Sequence, residues 1–124
     1  MPGRFEFSLQ DGHDGGVVVV LRGELDLDGA EPLADAMLGA IRNGSDVSVD
    51  LGELTFIDSS GLGVFVRAGR LAREQGVHFD LARATPTIAR TFVLSGMESY
   101  FSWVDGGVKR ADADAEERTR KQGW

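Results

Sequence analysis

The sequence predicts an α/β domain in which α-helices partly cover a mixed β-sheet, in the order ββαβαβα plus a short final element. Strand-like apolar runs alternate with helical apolar patterns, which is typical of parallel strands joined by helices. The first two strand-like runs are joined by a turn without a helix, which adds an antiparallel hairpin. A chain of 124 residues fits one such domain, and we place it at residues 5–104.

The predicted hairpin opens the chain. Residues 5–9 alternate apolar and polar side chains with a period of two, as a half-buried strand does. Residues 11–16 are rich in glycine and aspartate and predict a turn. Residues 17–21 form a continuous apolar run of four valines and a leucine, which predicts a central strand covered on both faces.

The first helix is predicted over residues 30–42, and Pro32 fixes its start. With Gly29 as N-cap, the proline occupies the third helical position, where a missing N–H costs nothing. With Asp28 as N-cap, it would occupy the fourth position and remove a helical hydrogen bond. The buried stripe is predicted to comprise Ala30, Leu33, Met37 and Ile41.

A third strand and a second helix follow. Residues 46–51 alternate again and predict the strand, and residues 54–57 continue from it. Helical spacing over residues 60–75 predicts the helix, and its apolar positions are Leu62, Phe65, Val66 and Leu71. Three arginines share another face of this helix, which we interpret as solvated: Arg67, Arg70 and Arg73.

The last part of the domain repeats the alternation. Residues 78–81 predict a short strand, and Thr85 and Pro86 suit the N-cap and first position of a third helix that ends at Gly96. Ile88, Phe92 and Val93 are predicted to face inward. Residues 100–104 predict a final short strand or docking segment. The charged tail at 105–124 has no apolar stripe to bury, so we expect it to be weakly held or disordered.

Composition excludes several classes of function. The net charge is −7, and such an acidic chain repels nucleic-acid phosphates. There is no cysteine and there are two histidines far apart in sequence, so we expect neither a metal site nor a cofactor. No apolar run reaches the roughly 20 residues of a membrane helix. We therefore expect a cytoplasmic protein that binds neither nucleic acid nor membrane.

The chemistry of the chain is concentrated in residues 56–63. In order they are Phe56, Ile57, Asp58, Ser59, Ser60, Gly61, Leu62 and Gly63. A strand-like run ends, Asp-Ser-Ser turns the chain, and a helix begins, so a hydroxyl is exposed at a helix N-terminus. This layout suits three roles: a capping sequence, a phosphate acceptor at Ser59, or a nucleophile.

A nucleophilic serine is the weakest of these three interpretations. It needs a base that is oriented by a third group. His13 lies in a predicted turn and His78 at the start of a strand, and neither is brought near Ser59 by the pattern. The Gly-x-Ser-x-Gly elbow is also absent. We therefore expect a binding protein and not an enzyme.

Three stretches of the chain carry a family resemblance. They are residues 23–26, residues 54–64, and residues 85–92 with 95–97. Their order and spacing resemble a STAS domain of the bacterial anti-sigma factor antagonist family, and the likeness spans roughly residues 5–104. The central stretch is highly specific for this family.

The resemblance implies a small domain that binds an anti-sigma factor and thereby frees a sigma factor. The anti-sigma factor is also expected to be an ATP-dependent serine kinase that phosphorylates Ser59 and so switches binding off. A metal-dependent serine phosphatase would reverse the modification. Asp26 matches an aspartate that helps to engage the kinase. We expect the partner-binding surface to comprise Asp26, Asp58, Ser60, Gly61, Leu62 and Gly63.

A second hypothesis is a STAS module that is not phosphorylated. Such a module would be an adaptor in a larger stress-signalling or transport complex. The capping role of residues 58–60 is compatible with both hypotheses, because a cap requires no modification.

Overall fold

A computed structural model describes residues 4–12 and 15–104, which form one five-stranded sheet with helices. The strands are β1 (Glu6–Asp11), β2 (Val17–Leu25), β3 (Val47–Ile57), β4 (Phe79–Ala82) and β5 (Ser102–Val104). The helices are α1 (Leu27–Arg42), α2 (Ser59–Gln75) and α3 (Pro86–Ser95), and a 3₁₀ turn covers Glu98–Tyr100. The predicted order ββαβαβα is confirmed, and the short final element is β5. The predicted tail at 105–124 lies outside the described residues.

The spatial order of the strands equals their order in the chain. β1 pairs antiparallel with β2, which confirms the hairpin, and the other three pairings are parallel. From β2 onward, each new parallel strand pairs with the free edge of the preceding strand, so the sheet grows in one direction. Since such crossovers are right-handed, all three helices lie on one face of the sheet.

β2 is an interior strand paired on both edges, and both of its faces hold buried side chains, since Val20 on the face without helices is only 7% exposed. Val19 and Leu21 belong to the hydrophobic cluster that contains the buried side chains of all three helices. The alternate residues Val18 and Val20 lie on the opposite face, in register with Ser48 and Asp50 of β3. An unbroken run of valines therefore occurs here in a strand with one helix-covered face.

The core beneath the helices is built on aromatic side chains. The rings of Phe65 and Phe92 stack with centroids 6.2 Å apart, and Phe101 meets Phe92 edge-on at 5.6 Å. All three side chains are buried, and each such burial contributes about 1.5–3 kcal/mol. These contacts join α2, α3 and the segment before β5.

The start of α1 differs from the prediction. The helix begins at Leu27 with Asp26 as N-cap, and not near Ala30 with Gly29 as N-cap. The Asp26 carboxylate accepts the N–H of Asp28 at 3.1 Å, and its carbonyl accepts the N–H of Gly29. Pro32 is consequently the sixth helical residue, and its exposed position keeps the ring away from the buried stripe.

The caps of α3 agree with the prediction, although one buried residue does not. The Thr85 hydroxyl accepts the N–H of Ile88 at 3.3 Å, and Gly96 ends the helix with a φ of 78°. Val93 was expected to face inward, but it is 51% exposed. A short helix buries a narrow stripe, and Ile88 and Phe92 already fill it.

β3 is a single strand of 11 residues that carries the chain to Ser59. Its register with β2 shifts after Asp50, which marks a bulge. The Asp50 Oδ1 accepts the Gly52 N–H at 2.9 Å and the Arg83 Nε–H at 3.0 Å. Arg83 itself has a φ of 63°, in the left-handed region. Arg83, which lies in the connection between β4 and α3, thus stabilises the bulge through its contact with Asp50.

Candidate functional site

The candidate site lies at the carboxyl edge of β2 and β3. The last residues of the two strands, Leu25 and Ile57, are in register, and each is followed by an aspartate. The Asp58 N–H donates to the Leu25 carbonyl at 3.2 Å, which ties the two strand ends together. Since neighbouring strands are about 4.8 Å apart, Asp26 and Asp58 occupy adjacent positions.

The two aspartates have the same local role. Asp26 caps α1, and Asp58 caps α2 through its Oδ1, which accepts the N–H of Ser60 at 2.9 Å and of Gly61 at 3.3 Å. Both carboxylates therefore sit where the macrodipole of a helix is positive. Two helix N-termini, each with an aspartate, meet at this edge.

Ser59 is the first residue of α2 and is exposed. The hydrogen bonds within residues 4–12 and 15–104 include none from its hydroxyl, because Asp58 supplies the cap. The Ser59 hydroxyl is therefore open to a reagent or partner from solvent.

The other residues of the predicted partner-binding surface next to Ser59 differ in their exposure to solvent. Ser60, Leu62 and Gly63 are partly exposed, whereas Gly61 is buried. A Cβ on Gly61 would lie 2.8 Å from Ile57 Cγ1 and 2.8 Å from Leu25 Cδ2. Gly61 thus permits α2 to pack closely on the strand ends, and it contributes no side chain to the surface.

Two exposed apolar side chains at this edge were missed in the sequence. Leu27, the first residue of α1, is 73% exposed, and Phe56 of β3 is 47% exposed. The strand alternation points Phe56 away from the core, since its neighbour Ile57 is buried. Leu27 lies between two aspartates and outside the predicted apolar stripe. These signals could have identified both residues.

No histidine of the described residues lies near Ser59. His78 precedes β4, and Phe79 is in register with Val47 at the opposite end of β3. The length of β3 separates the two ends by roughly 33 Å. Residues 4–12 and 15–104 also contain no group of three or more acidic or histidine side chains that could hold a metal ion. His13 lies outside these ranges.

The opposite end of the sheet carries a second notable carboxylate. Asp80 of β4 is partly buried, and its buried Oδ1 has no hydrogen-bond partner among the described residues. Burial raises the pKa of Asp80 above its ordinary value of 3.8, and nearby Asp46 acts in the same direction. The Ser48 hydroxyl and His78 lower the pKa of Asp80 and only partly offset that effect.

Within the described part of the chain, no helix combines the length and the apolar character that crossing a membrane requires.

The comparisons with known proteins bear on this site. A family model described as "Mlab, STAS domain" matches residues 8–104. The anti-sigma-B factor antagonist of Bacillus subtilis is 27% identical over 96 residues, which is 75% of this chain and 88% of the relative.

Solved structures show the same similarity. The anti-sigma factor antagonist SpoIIAA in its unphosphorylated form is 26% identical, with a TM-score of 0.73 over 92% of this chain and 97% of that chain. The Bacillus cell fate determinant SpoIIAA in its phosphorylated form is also 26% identical, with a TM-score of 0.68 over 90% of this chain and 98% of that chain. These findings confirm the resemblance seen in the sequence. Such antagonists are regulatory binding proteins, which confirms the expectation that the chain is not an enzyme.

Proposed function

The chain belongs to the STAS domain family, and we propose on that premise that it is an anti-sigma factor antagonist controlled by phosphorylation of Ser59. The unphosphorylated form binds an anti-sigma factor that is also an ATP-dependent serine kinase, and a sigma factor is released. Phosphorylation ends this binding, and a metal-dependent serine phosphatase restores it. The domain at residues 5–104 performs the binding, in the cytoplasm where sigma factors act.

One observation carries the proposal: the exposed Ser59 hydroxyl stands at the N-terminus of α2, beside two cap carboxylates. Asp58 already satisfies the helix amides, so the hydroxyl is not needed for the fold. A relative of similar fold is described in both unphosphorylated and phosphorylated forms, which supports control by phosphorylation.

The modification is a phosphoryl transfer in which the partner supplies the machinery. The Ser59 oxygen forms a bond to the γ-phosphorus of ATP, the bond to ADP breaks, and the hydroxyl proton passes to a base of the kinase. The chain itself contributes the hydroxyl and its position. Nothing in this step requires a base or a metal ion from the antagonist.

Electrostatics explain how a phosphate would release the partner. The group adds about −1.5 to −2 charges next to Asp58 and Asp26. Two unit charges about 5 Å apart repel by roughly 3 kcal/mol at an effective dielectric constant of about 20. A docked partner excludes water and so makes the repulsion stronger in the complex than in the free protein. An increase of about 3 kcal/mol in this repulsion on docking would correspond to roughly a hundredfold loss in affinity.

The surface around Ser59 also suits docking. Leu27 and Phe56 offer apolar contacts that are exposed in the free chain. The proposed interface also includes Asp26, Ser60, Leu62 and Gly63, while the buried Gly61 lets α2 pack closely on the strand ends. A phosphate on Ser59 would belong to this surface.

The test is a capture experiment with purified full-length protein as bait in lysate of its native cells. The baits are the parent, Ser59→Asp, and Ser60→Ala as a matched control at the neighbouring serine. We expect mass spectrometry to find an ATPase-kinase on the parent and on Ser60→Ala, and at least tenfold less on Ser59→Asp. The captured kinase should then phosphorylate the parent and Ser60→Ala but not Ser59→Ala. A Ser59→Ala protein that is phosphorylated as fast as the parent would show that the site assignment is wrong.

A second candidate function is the adaptor that is not phosphorylated. The matching family model is described only as "Mlab, STAS domain", which fits a STAS module of either kind. Phosphate-affinity electrophoresis of the protein from its native cells separates the two functions. A slower band in any growth condition, lost in Ser59→Ala, supports the switch, and its absence in every condition supports the adaptor.

A further inference from the structure

We propose that Arg83 is a positioning residue for Ser59 and acts through the shape of β3. Arg83 follows β4 directly and does not belong to the predicted partner-binding surface. Its contact with Asp50 fixes a bulge in β3, and this bulge sets the direction in which the end of the strand presents Ser59. The inference rests on the proposed function for the role of Ser59, but the bulge itself does not depend on phosphorylation.

β3 holds two more residues than the part of β2 with which it pairs. The eight steps along Val17–Leu25 are matched with the ten steps along Val47–Ile57. The register shifts at two places, after Asp50 and after Leu54, and each shift accommodates one of the extra residues. Both shifts are therefore bulges, which bend a strand and increase its twist.

The two bulges decide which side chains at the end of β3 point to the core. One extra residue reverses the alternation of side chains between the two faces of a strand. The buried residues of β3 are Val47, Val49, Leu51, Leu54 and Ile57. Their spacing changes from two to three at the first bulge. Loss of that bulge alone would exchange the faces of Phe56 and Ile57, and the turn with Asp58 and Ser59 would rotate with them.

The first bulge lies where the sheet narrows beside β3. β4 pairs with β3 along Val47–Asp50, and from Leu51 to Ile57 the paired neighbour of β3 is β2. Two-stranded ribbons twist more strongly than wider sheets. The direction of the strand ends therefore depends on how the bulge is held.

Arg83 supports β3 at the place where β4 stops. It follows Ala82, the last residue of β4, and its Nε–H donates to Asp50 Oδ1 at 3.0 Å. The same oxygen accepts the Gly52 N–H within the bulge at 2.9 Å. The guanidinium covers Gly52 closely, since a Cβ there would lie 2.5 Å from one of its terminal nitrogens. Arg83 thus connects the bulge to β4.

Other contacts of this part of β3 lie within the β2–β3 pair. The Thr55 hydroxyl donates to the Gly23 carbonyl at 3.1 Å, and Arg22 Nε–H donates to Glu53 at 2.9 Å. These bonds hold the two strands together but do not tie them to β4. Among the side-chain hydrogen bonds of residues 4–12 and 15–104, the one from Arg83 makes that connection.

Two variants remove the contact in different ways. Arg83→Gln removes the guanidinium. Gly52→Ala displaces it without changing any charge, because the atoms nearest to the added Cβ belong to the movable end of the arginine. Arg90→Gln is the matched control, since Arg90 is exposed on α3 and takes part in none of the ion pairs of the described chain. Urea denaturation establishes that each variant is folded under the assay conditions.

The first measurement is amide hydrogen exchange by NMR on the isotope-labelled full-length protein. We expect Arg83→Gln and Gly52→Ala to speed exchange at residues 53–58 about tenfold, because the bulge opens more often. Arg90→Gln should change these rates less than about twofold, and the amides of α1 should keep the rates of the parent in every variant. Unchanged exchange at residues 53–58 in either contact variant, or an equal rise throughout the chain, would overturn the proposal.

The second measurement is phosphorylation of Ser59 by the captured kinase, with kcat and KM determined separately. A misplaced hydroxyl slows the chemical step more than it weakens binding of the partner. We expect Arg83→Gln and Gly52→Ala to lower kcat about tenfold and to change KM less than about threefold. Arg83→Lys keeps a charged donor and should recover part of the rate. An unchanged kcat in Arg83→Gln, or an equal loss in Arg90→Gln, would contradict the positioning role.

A double variant shows whether Arg83 acts through Asp50. Asp50→Asn keeps an oxygen that can accept the Gly52 N–H but removes the charge that pairs with Arg83. Arg83→Gln combined with Asp50→Asn should then lower kcat no further than Arg83→Gln alone, whereas losses that multiply would show independent roles and overturn the proposal. Failure of the proposed function looks different, because the parent itself would not be phosphorylated at Ser59. The exchange rates then still decide whether Arg83 holds the end of β3.

Discussion

The two ends of the parallel sheet use aspartates in opposite ways. At the carboxyl edge, Asp26 and Asp58 reach the surface and accept backbone N–H groups at helix N-termini. At the amino end, Asp80 is partly buried with an oxygen that has no partner in the described chain. The first arrangement stabilises a negative charge, and the second penalises it.

This difference explains where a switch can be built. Under the proposed function, a phosphate at the carboxyl edge would join carboxylates that helix ends already support, so we expect the fold to tolerate it and a docked partner to be released. The same charge near Asp80 would act on the stability of the fold.

The largest effect is expected from filling the space at Gly61. Gly61→Val places carbon atoms within 2.8 Å of Leu25 and Ile57, which must move or push α2 away from the strand ends. Overpacking of this kind costs about 3 kcal/mol at the upper end of its usual range. Urea denaturation should show that loss in the free energy of unfolding.

Gly63→Ala is the matched control, since a Cβ at Gly63 meets no atom within 4 Å. Removing a glycine from the interior of a helix should stabilise by about 0.5–1 kcal/mol. If Gly61→Val were as stable as Gly63→Ala, close packing at Gly61 would not explain why a glycine stands there.

Asp80→Asn should have an intermediate effect of opposite sign. The neutral amide removes the penalty of a buried charge, so we expect a gain of about 1–2 kcal/mol in the free energy of unfolding at neutral pH. Because burial raises the pKa of Asp80 in the folded state, its penalty is absent below pH 3.8. The penalty grows as the pH rises through the raised pKa and is constant above it. The gain should follow the same course in a pH series of denaturation curves.

The exposed Asp35 supplies the control for the Asp80 variant. Asp35→Asn removes the same charge from α1 at an exposed position. A gain for Asp35→Asn equal to that for Asp80→Asn, with the same pH dependence, would attribute both to the overall charge of −7 and not to burial.

Local rules predicted much of the fold from the sequence. The Thr85-Pro86 start of α3 and its end at Gly96 follow from side-chain capping and backbone preference, and both are observed. The start of α1 differs from the prediction, which rests on the position of Pro32. The capping bond of Asp26 sets it instead, together with the end of β2 beside β3. Such a contact between strands cannot be found from spacing alone.

Around the candidate site, the local features could be predicted from the sequence, but the tertiary contacts could not. The positions of Asp58 and Ser59 at the start of α2 could be predicted because the end of a strand, a turn and a helix start are local patterns. The contact between Phe5 and Gly29 could not be predicted, because the two residues are far apart in sequence and meet through tertiary packing. The hydrogen bond between Arg83 and Asp50 likewise joins residues that are far apart in sequence, so it could not be predicted from a local pattern.

The smallest effect, and the one that decides the comparison, is expected at Asp58. Asp58→Ala removes the acceptor for the Ser60 and Gly61 N–H groups and should destabilise by about 1 kcal/mol. Asp58→Asn keeps an oxygen acceptor and should lose less than about 0.5 kcal/mol. Both are measured by urea denaturation at neutral pH. If Asp58→Ala stabilised the protein, as Asp80→Asn is expected to do, relief of the net negative charge would outweigh local geometry at both ends. Opposite signs for the two aspartates would show that the helix N-terminus, and not the total charge, makes the carboxyl edge a favourable place for anions.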